Sequence, residues 1–168
     1  MTENSRIPPG LLHMIIADLP NHCAAICRDV LLESGEMTFC IGIVATETEV
    51  QTLLLPVPNH ETEAAIARGL RRHLKEHGAV AYGVCVEGWI RFTSDAGLAE
   101  APPSEHPDGV EAVLIMGSTV DRPFHCFFRI ARDADGKITG LGEDLVAGRA
   151  PPTTGIFMGL LEPEPLVH

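Results

Sequence analysis

The stretch Ala79-Val80-Ala81-Tyr82-Gly83-Val84-Cys85-Val86-Glu87-Gly88-Trp89-Ile90-Arg91-Phe92 decides how the rest of the chain is read. Successive side chains of a strand point to opposite faces. Val80, Tyr82, Val84, Val86, Ile90 and Phe92 therefore share one face, and Ala81, Gly83, Cys85, Glu87, Trp89 and Arg91 share the other. The small residues at 81, 83 and 85 would let a helix approach the sheet closely. Upstream, Cys23, Ile26, Cys27, Val30 and Leu31 recur at i, i+3, i+4, i+7 and i+8, the single apolar stripe of a core-facing helix. Asp18 or Asn21 can cap its start, Pro20 is tolerated in its first turn, and Gly35 can end it. Leu11, Leu12, Ile15, Ile16 and Leu19 also recur at helical spacing, but Pro20 interrupts them. Residues 1–10, ending in Pro8-Pro9-Gly10, read as a flexible arm.

Between this helix and the alternating strand lie two short apolar runs, 37–45 and 47–57, joined by the polar Thr46-Glu47-Thr48-Glu49. They are too brief for helices and read as paired strands, ended by Pro56 and Pro58. Asn59 then caps a second helix over 60–77, closed by Gly78. Ile66, Leu70 and Leu74 lie along one side, with Arg68, Arg71, Arg72 and Lys75 expected opposite. Beyond the alternating strand, residues 94–109 form a long Pro-, Gly- and acid-rich loop. Three further strands are predicted at 110–117, 124–132 and 137–141, the last two joined by the hairpin turn Asp133-Ala134-Asp135-Gly136. Residues 143–168 are a Gly/Pro-rich tail whose apolar island at 156–161 could add an edge strand. The expectation is one α+β domain over 11–168. Its sheet has five or six strands, mixed or mainly antiparallel, with the two principal helices on one face.

Composition narrows the function. The 168 residues are 45% apolar, enough for one packed core, and carry 12 Lys+Arg against 23 Asp+Glu, a net charge of −11. Such a surface repels phosphates, so neither nucleic acid nor an anionic membrane is expected as a partner. No apolar run is long enough for a membrane span, and the N-terminal run containing His13 lacks the basic lead of an export signal. The five cysteines are odd in number and irregularly spaced, unlike a disulfide framework, so the expected compartment is the cytoplasm.

Several catalytic or metal signatures fail on one missing residue. His60-Glu61 begins like a zinc-protease helix, but Ala64 stands where the second histidine belongs. Thr153-Thr154-Gly155 lacks the lysine of a phosphate loop, and Gly140-Leu141-Gly142 has no helix after it. Cys23 and Cys27, with His22 beside them, and His73 with His77 sit one helical turn apart. Core packing and helix-dipole compensation explain these pairs without a metal. No cofactor and no metal are expected. The most suggestive group is Glu87, Glu105, His106, Asp108 and Glu111 near Trp89, because acids, an imidazole and an aromatic wall suit acid–base or metal-assisted chemistry. Each member also has a structural reading. Glu87 could pair with Arg91, 105–108 could be a polar turn, and a register aligning Val113 with Phe127 would set Glu111 opposite Arg129.

Glu87-Gly88-Trp89, Pro103-Ser104-Glu105-His106-Pro107-Asp108, Glu111-Ala112-Val113-Leu114 and Arg129-Ile130-Ala131-Arg132-Asp133 together resemble a pattern in small bacterial α+β proteins. The resemblance covers about the central third of the chain, departs at Gly88, and implies no activity. It implies that the loop and its flanking strands are one structural unit. The leading functional expectation is a non-catalytic cytoplasmic binding or accessory module that forms a homo-oligomer, a dimer being one candidate. The apolar Ile156, Phe157, Met158, Leu160 and Leu161 motivate association, and Trp89, Arg68, Arg71 and Arg72 are the candidate ligand or partner contacts. The alternative is a small hydrolase or metal-assisted enzyme built on the 87–111 group.

Overall fold

The computed structural model describes residues 8–92, 102–150 and 157–162. The flexible-arm expectation for 1–10 falls largely outside these residues, but its last part does not. A helix, α1, runs Pro9–Ala17, with proline in its first turn, where a missing N–H costs nothing. After Asp18 the chain turns through 89° into α2, Leu19–Ser34. Pro20 sits in the first turn of α2, so the proline that breaks the run in sequence starts a new helix. Gly35 ends it in the left-handed conformation (φ 80°), its N–H bonded to the carbonyl of Leu31. No single described helix is long and apolar enough to cross a membrane.

Strands β1 (Cys40–Ala45) and β2 (Val50–Leu55) form an antiparallel pair in continuous register from Cys40↔Leu55 to Ala45↔Val50. Thr46 closes the turn between them, its hydroxyl accepting the N–H groups of Thr48 and Glu49. Helix α3 (Glu63–Glu76) follows, preceded by Asn59, whose side-chain oxygen accepts from the N–H groups of Glu61 and Thr62. The alternating stretch becomes β3 (Ala81–Ile90), and β4 (Val110–Thr119), β5 (Pro123–Arg132) and β6 (Ile138–Asp144) complete the sheet. The order is β2-β1-β3-β4-β5-β6 and every neighbouring pair is antiparallel. The Asp133–Gly136 hairpin is formed as expected, with the Asp133 carboxylate accepting from the N–H groups of Asp135 and Lys137.

The fold is thus an α+β domain with an antiparallel six-stranded sheet, but its helices are distributed differently from expectation. Helix α2 buries Leu19, Cys23, Cys27 and Leu31 against the face carrying Ile41, Ile43, Ala45, Ala81, Cys85, Val113 and Ile115. Helix α3 buries Leu70 and Leu74 against Cys40, Val44, Tyr82 and Val84, on the opposite face. The two principal helices do not share a face because both sides of the central strands need cover. All six residues of β1 and the first five of β3 are buried, and a strand apolar on both sides is stable only between two layers.

The small residues of β3 act as predicted on the α2 side. A Cβ added at Gly83 would stand 2.7 Å from Cys23 Sγ, so only glycine allows α2 to lie this close. Gly83 pairs with Gly117 on β4, where an added Cβ would come within 2.7 Å of the Phe124 ring that covers both glycines.

The other face is closed by a segment distant in sequence. Residues 157–162 form turns rather than the edge strand anticipated for 156–161, Ile156 lying outside the described residues. Phe157, Met158 and Leu160 are buried, so the apolar island is part of the chain's own core. Tyr82 anchors it: the buried hydroxyl donates to the Phe157 carbonyl at 2.7 Å and accepts from the Leu160 N–H at 3.2 Å. Burial pushes the Tyr82 pKa up, partly offset by the Leu160 N–H that favours the phenolate.

Candidate functional site

Of the acid and imidazole group of the central third, Glu87 and Glu111 lie with Trp89 toward one end of the sheet, on the α2 side. In the β3–β4 register Glu87 stands opposite Val113 and Trp89 opposite Glu111, so Glu87, Trp89 and Glu111 share a face. The two carboxylates have structural partners. Glu87 does not pair with Arg91; its Oε2 accepts the Met37 N–H at 2.6 Å, tying the α2–β1 connection to the sheet. Glu111 is held bidentately by Arg132, whose Nε and Nη2 donate at 2.8 and 2.7 Å, while Arg132 Nη1 donates to the Gly136 carbonyl. The Glu111 hydrogen bonds raise the Arg132 pKa further, a burial penalty opposing them.

Glu111 therefore pairs with Arg132 and not with Arg129. The β4–β5 register is shifted by one from the expected alignment: Val113 faces Phe128, Arg129 faces Ala112, and the Arg129 Nε lies 3.6 Å from Glu143. A one-residue slip turns every side chain to the other face, which is why the pairing changes partner.

The loop expected over 94–109 is described only from Pro102. There it is a compact turn: a 3-10 segment, Pro103–Glu105, packs against β3 and β4. The His106 carbonyl accepts the Gly109 N–H at 2.8 Å, and the His106 Nδ1 accepts the Asp108 N–H at 3.0 Å. Nδ1 thus contributes a lone pair to the turn, with the Asp108 carboxylate 3.8 Å away. Gly109 is required at the exit, since an added Cβ would fall 1.7 Å from the Pro103 carbonyl oxygen. Glu105 ends the 3-10 segment at the surface. The Pro103–Gly109 pattern is accounted for by backbone geometry. Among the described residues no three His, Cys, Asp or Glu side chains are arranged to hold a metal ion.

Cys23 and Cys27 meet a third thiol, one of the small residues of β3 expected to face a helix. Cys85 of β3 shares sulfur hydrogen bonds with both, and these, ahead of burial, raise its pKa well above the ordinary thiol value. The three are buried free thiols. A thiol held protonated is a poor nucleophile, which describes Cys85, and all three cysteines pack within the core between α2 and the sheet. The strand alternation that puts 81, 83 and 85 toward a helix carries the signal for this meeting.

Comparison with known proteins places the chain beside none of them. No family model, curated protein or solved structure matches it.

The basic stripe of α3 is the feature whose setting sequence reasoning missed. Arg71 borders the apolar stripe, half-buried, while Arg68, Arg72 and Lys75 lie exposed opposite it as expected, and the four line a groove of about 570 Å³. Leu74, Ala79, Leu160 and Leu161 supply its apolar lining, and Glu162 joins the cations at its edge. Arg71 also donates to the Gly159 carbonyl, linking α3 to the docked segment. Helical spacing puts the four cations on one face, but nothing local indicates that residues 157–162 form the facing wall. On the neighbouring turn His73 and His77 stack with ring centroids 4.0 Å apart, and the His73 Nε2 meets Gln51 of β2 at 3.1 Å. These contacts give both histidines packing roles.

Proposed function

We propose that this chain is a non-catalytic binding or accessory module of the cytoplasm that self-associates through the outer edge of β2. The observation that carries the reading is the difference between the two ends of the sheet. At one end β6 pairs with β5 through register shifts at two places, and such irregularities blunt an edge. At the other, β2 keeps unbroken register with β1 over six residues and pairs with no other described strand. Leu54 is 68% exposed there and Val57, just beyond the strand, 49%. A straight, apolar, unpaired edge is a template for another strand, and a second copy of β2 is the partner of matching length.

The partnered state of Glu87 and Glu111 and the turn role of His106 support a non-catalytic reading over a hydrolase. Five free thiols suit a reducing compartment. The likeness of the central third to small bacterial proteins belongs to the same proposal and adds no activity.

Light scattering on a size-exclusion column tests it. The expected species has twice the 18.1 kDa mass of one chain, and Leu54→Lys, which places a charge on the edge, should give the single-chain mass with an unchanged far-ultraviolet spectrum. A wild-type protein that elutes as a single chain at tens of micromolar would sink the proposal, as would a Leu54→Lys variant that stays double.

A further inference from the structure

We infer that the groove between α3 and residues 157–162 is a binding site for a small organic dianion, one carrying a phosphate monoester or paired carboxylates on an apolar body. The site is distinct from the β2 edge and does not depend on self-association. Four of the chain's twelve Lys and Arg residues lie within eight residues of α3, in a protein of net charge −11. Arg68, Arg71, Arg72 and Lys75 fall at i, i+3, i+4 and i+7, so each sits one turn from another cation, a like-charge arrangement that works against the helix. No described carboxylate forms an ion pair with Arg68, Arg72 or Lys75. Among the described residues Glu162 is the one acid lining the groove, against four cations.

The groove is built rather than incidental. Its far wall is fixed by the Tyr82 hydroxyl, bonded to both Phe157 and Leu160, and by the hydrogen bond from Arg71 to the Gly159 carbonyl. Its volume, about 570 Å³, lies within the roughly 300–1,000 Å³ typical of small-molecule sites. Leu74, Leu160 and Leu161 offer surface to an apolar body, while guanidinium forks match the oxygens of phosphate or carboxylate. A long polyanion would have to cross the acidic remainder of the surface, so the ligand is small.

Titration calorimetry at about 0.15 M salt, with phenyl phosphate, phthalate and inorganic phosphate as probes, tests the assignment. One of the two aromatic dianions should saturate the protein below about 1 mM and bind about tenfold more tightly than inorganic phosphate, the tighter one naming the headgroup. The double variant Arg68→Gln/Arg72→Gln should lose about tenfold or more in affinity. Arg28→Gln, which removes an exposed arginine of α2, should bind as the wild type does. Thermal unfolding of each variant verifies that the fold is retained, and Arg72→Lys, which keeps the charge but not the fork, should lose less affinity than the double variant. The inference is overturned if neither aromatic dianion saturates, if the double variant binds like wild type, or if inorganic phosphate binds equally well. Displacement of phenyl phosphate by a single-stranded oligonucleotide at the same salt would overturn the restriction to small ligands.

Discussion

On the α2 face of the sheet the helix lies directly on the strands, Cys23 over Gly83, with a layer of buried free thiols between. On the α3 face, two buried leucines of the helix meet the sheet, and cover is completed by residues 157–162, fastened through one tyrosine hydroxyl. The first arrangement uses close approach and nonpolar contact. The second uses a polar anchor and a segment of no regular structure, and it leaves a groove lined by arginines. A helix settled on small residues seals its face, whereas a face finished by a docked segment keeps space at the seam. That is why the candidate ligand site is on the α3 side although the sequence concentrates its acids and imidazole near Trp89.

The largest expected effect tests whether the docked segment is core at all. Phe157 is 2% exposed within the second hydrophobic cluster. Phe157→Ala should lower unfolding free energy by about 3–5 kcal/mol in urea titrations, the range for an aromatic lost from a packed core. A near-wild-type midpoint would mean that α3 alone closes its face, and the contrast between the faces would collapse.

Next comes the α2 contact. Gly83→Ala places a methyl where only 2.7 Å separates its Cβ from Cys23 Sγ, and overpacking of this kind costs about 1–3 kcal/mol. Removing the sulfur with Cys23→Ala should restore part of that loss, so the double variant should be more stable than the sum of the singles predicts. Strict additivity would show that the helix shifts to absorb the methyl, and that its approach is looser than the glycine implies.

The anchor on the other face predicts a smaller change. Tyr82→Phe keeps the ring but leaves the Phe157 carbonyl and the Leu160 N–H without their partner. The expected cost is about 1–2 kcal/mol, from buried groups left unsatisfied. Hydrogen exchange should rise at Leu160 and remain unchanged along α2. Equal loosening of both faces would erase the distinction between a sealed and a fastened side.

How far the sequence discloses this architecture depends on the range of the interactions involved. Local signals are legible: the Cys23–Leu31 stripe, Gly35, Asn59 before α3, the Asp133–Gly136 turn and the alternation from Ala81 all report backbone geometry set within a few residues. The faces were less so. Two-sided cover is implied by the unbroken apolar run Cys40-Ile41-Gly42-Ile43-Val44-Ala45, yet periodicity does not assign a particular helix to a particular side. Strand register escapes by a single residue, because turn length and the Glu111–Arg132 fork decide it together. The tail escapes altogether: Tyr82 and Phe157 are 75 residues apart, and an apolar hexapeptide reads the same whether it covers its own core or another chain. The groove depends on that contact, so its cations were visible in the sequence while its shape was not.

The smallest predicted effect concerns acid, and it separates the faces by charge rather than packing. On the α3 side, His73 is held to Gln51 and stacked on His77, and its pKa is lowered, by desolvation first and by the His77 charge second, with Glu76 opposing. The folded protein therefore resists a proton that the unfolded chain accepts near 6.5. Between the folded and unfolded pKa values the unfolded state binds more protons, so stability is full above about 6.5 and declines as pH falls toward the folded value. His73→Gln removes that proton site, so the urea midpoint should slope less between pH 7 and pH 5 in the variant than in the wild type. On the α2 side, the Cys85 thiol is held well above its ordinary value and so does not titrate in this range. Hydrogen exchange at pH 5 should accordingly show weakened protection first in α3 and β2, with α2 unaffected. An acid response that begins in α2, or a His73→Gln midpoint that falls as steeply as the wild type, would assign the pH sensitivity elsewhere and leave the two faces electrostatically alike.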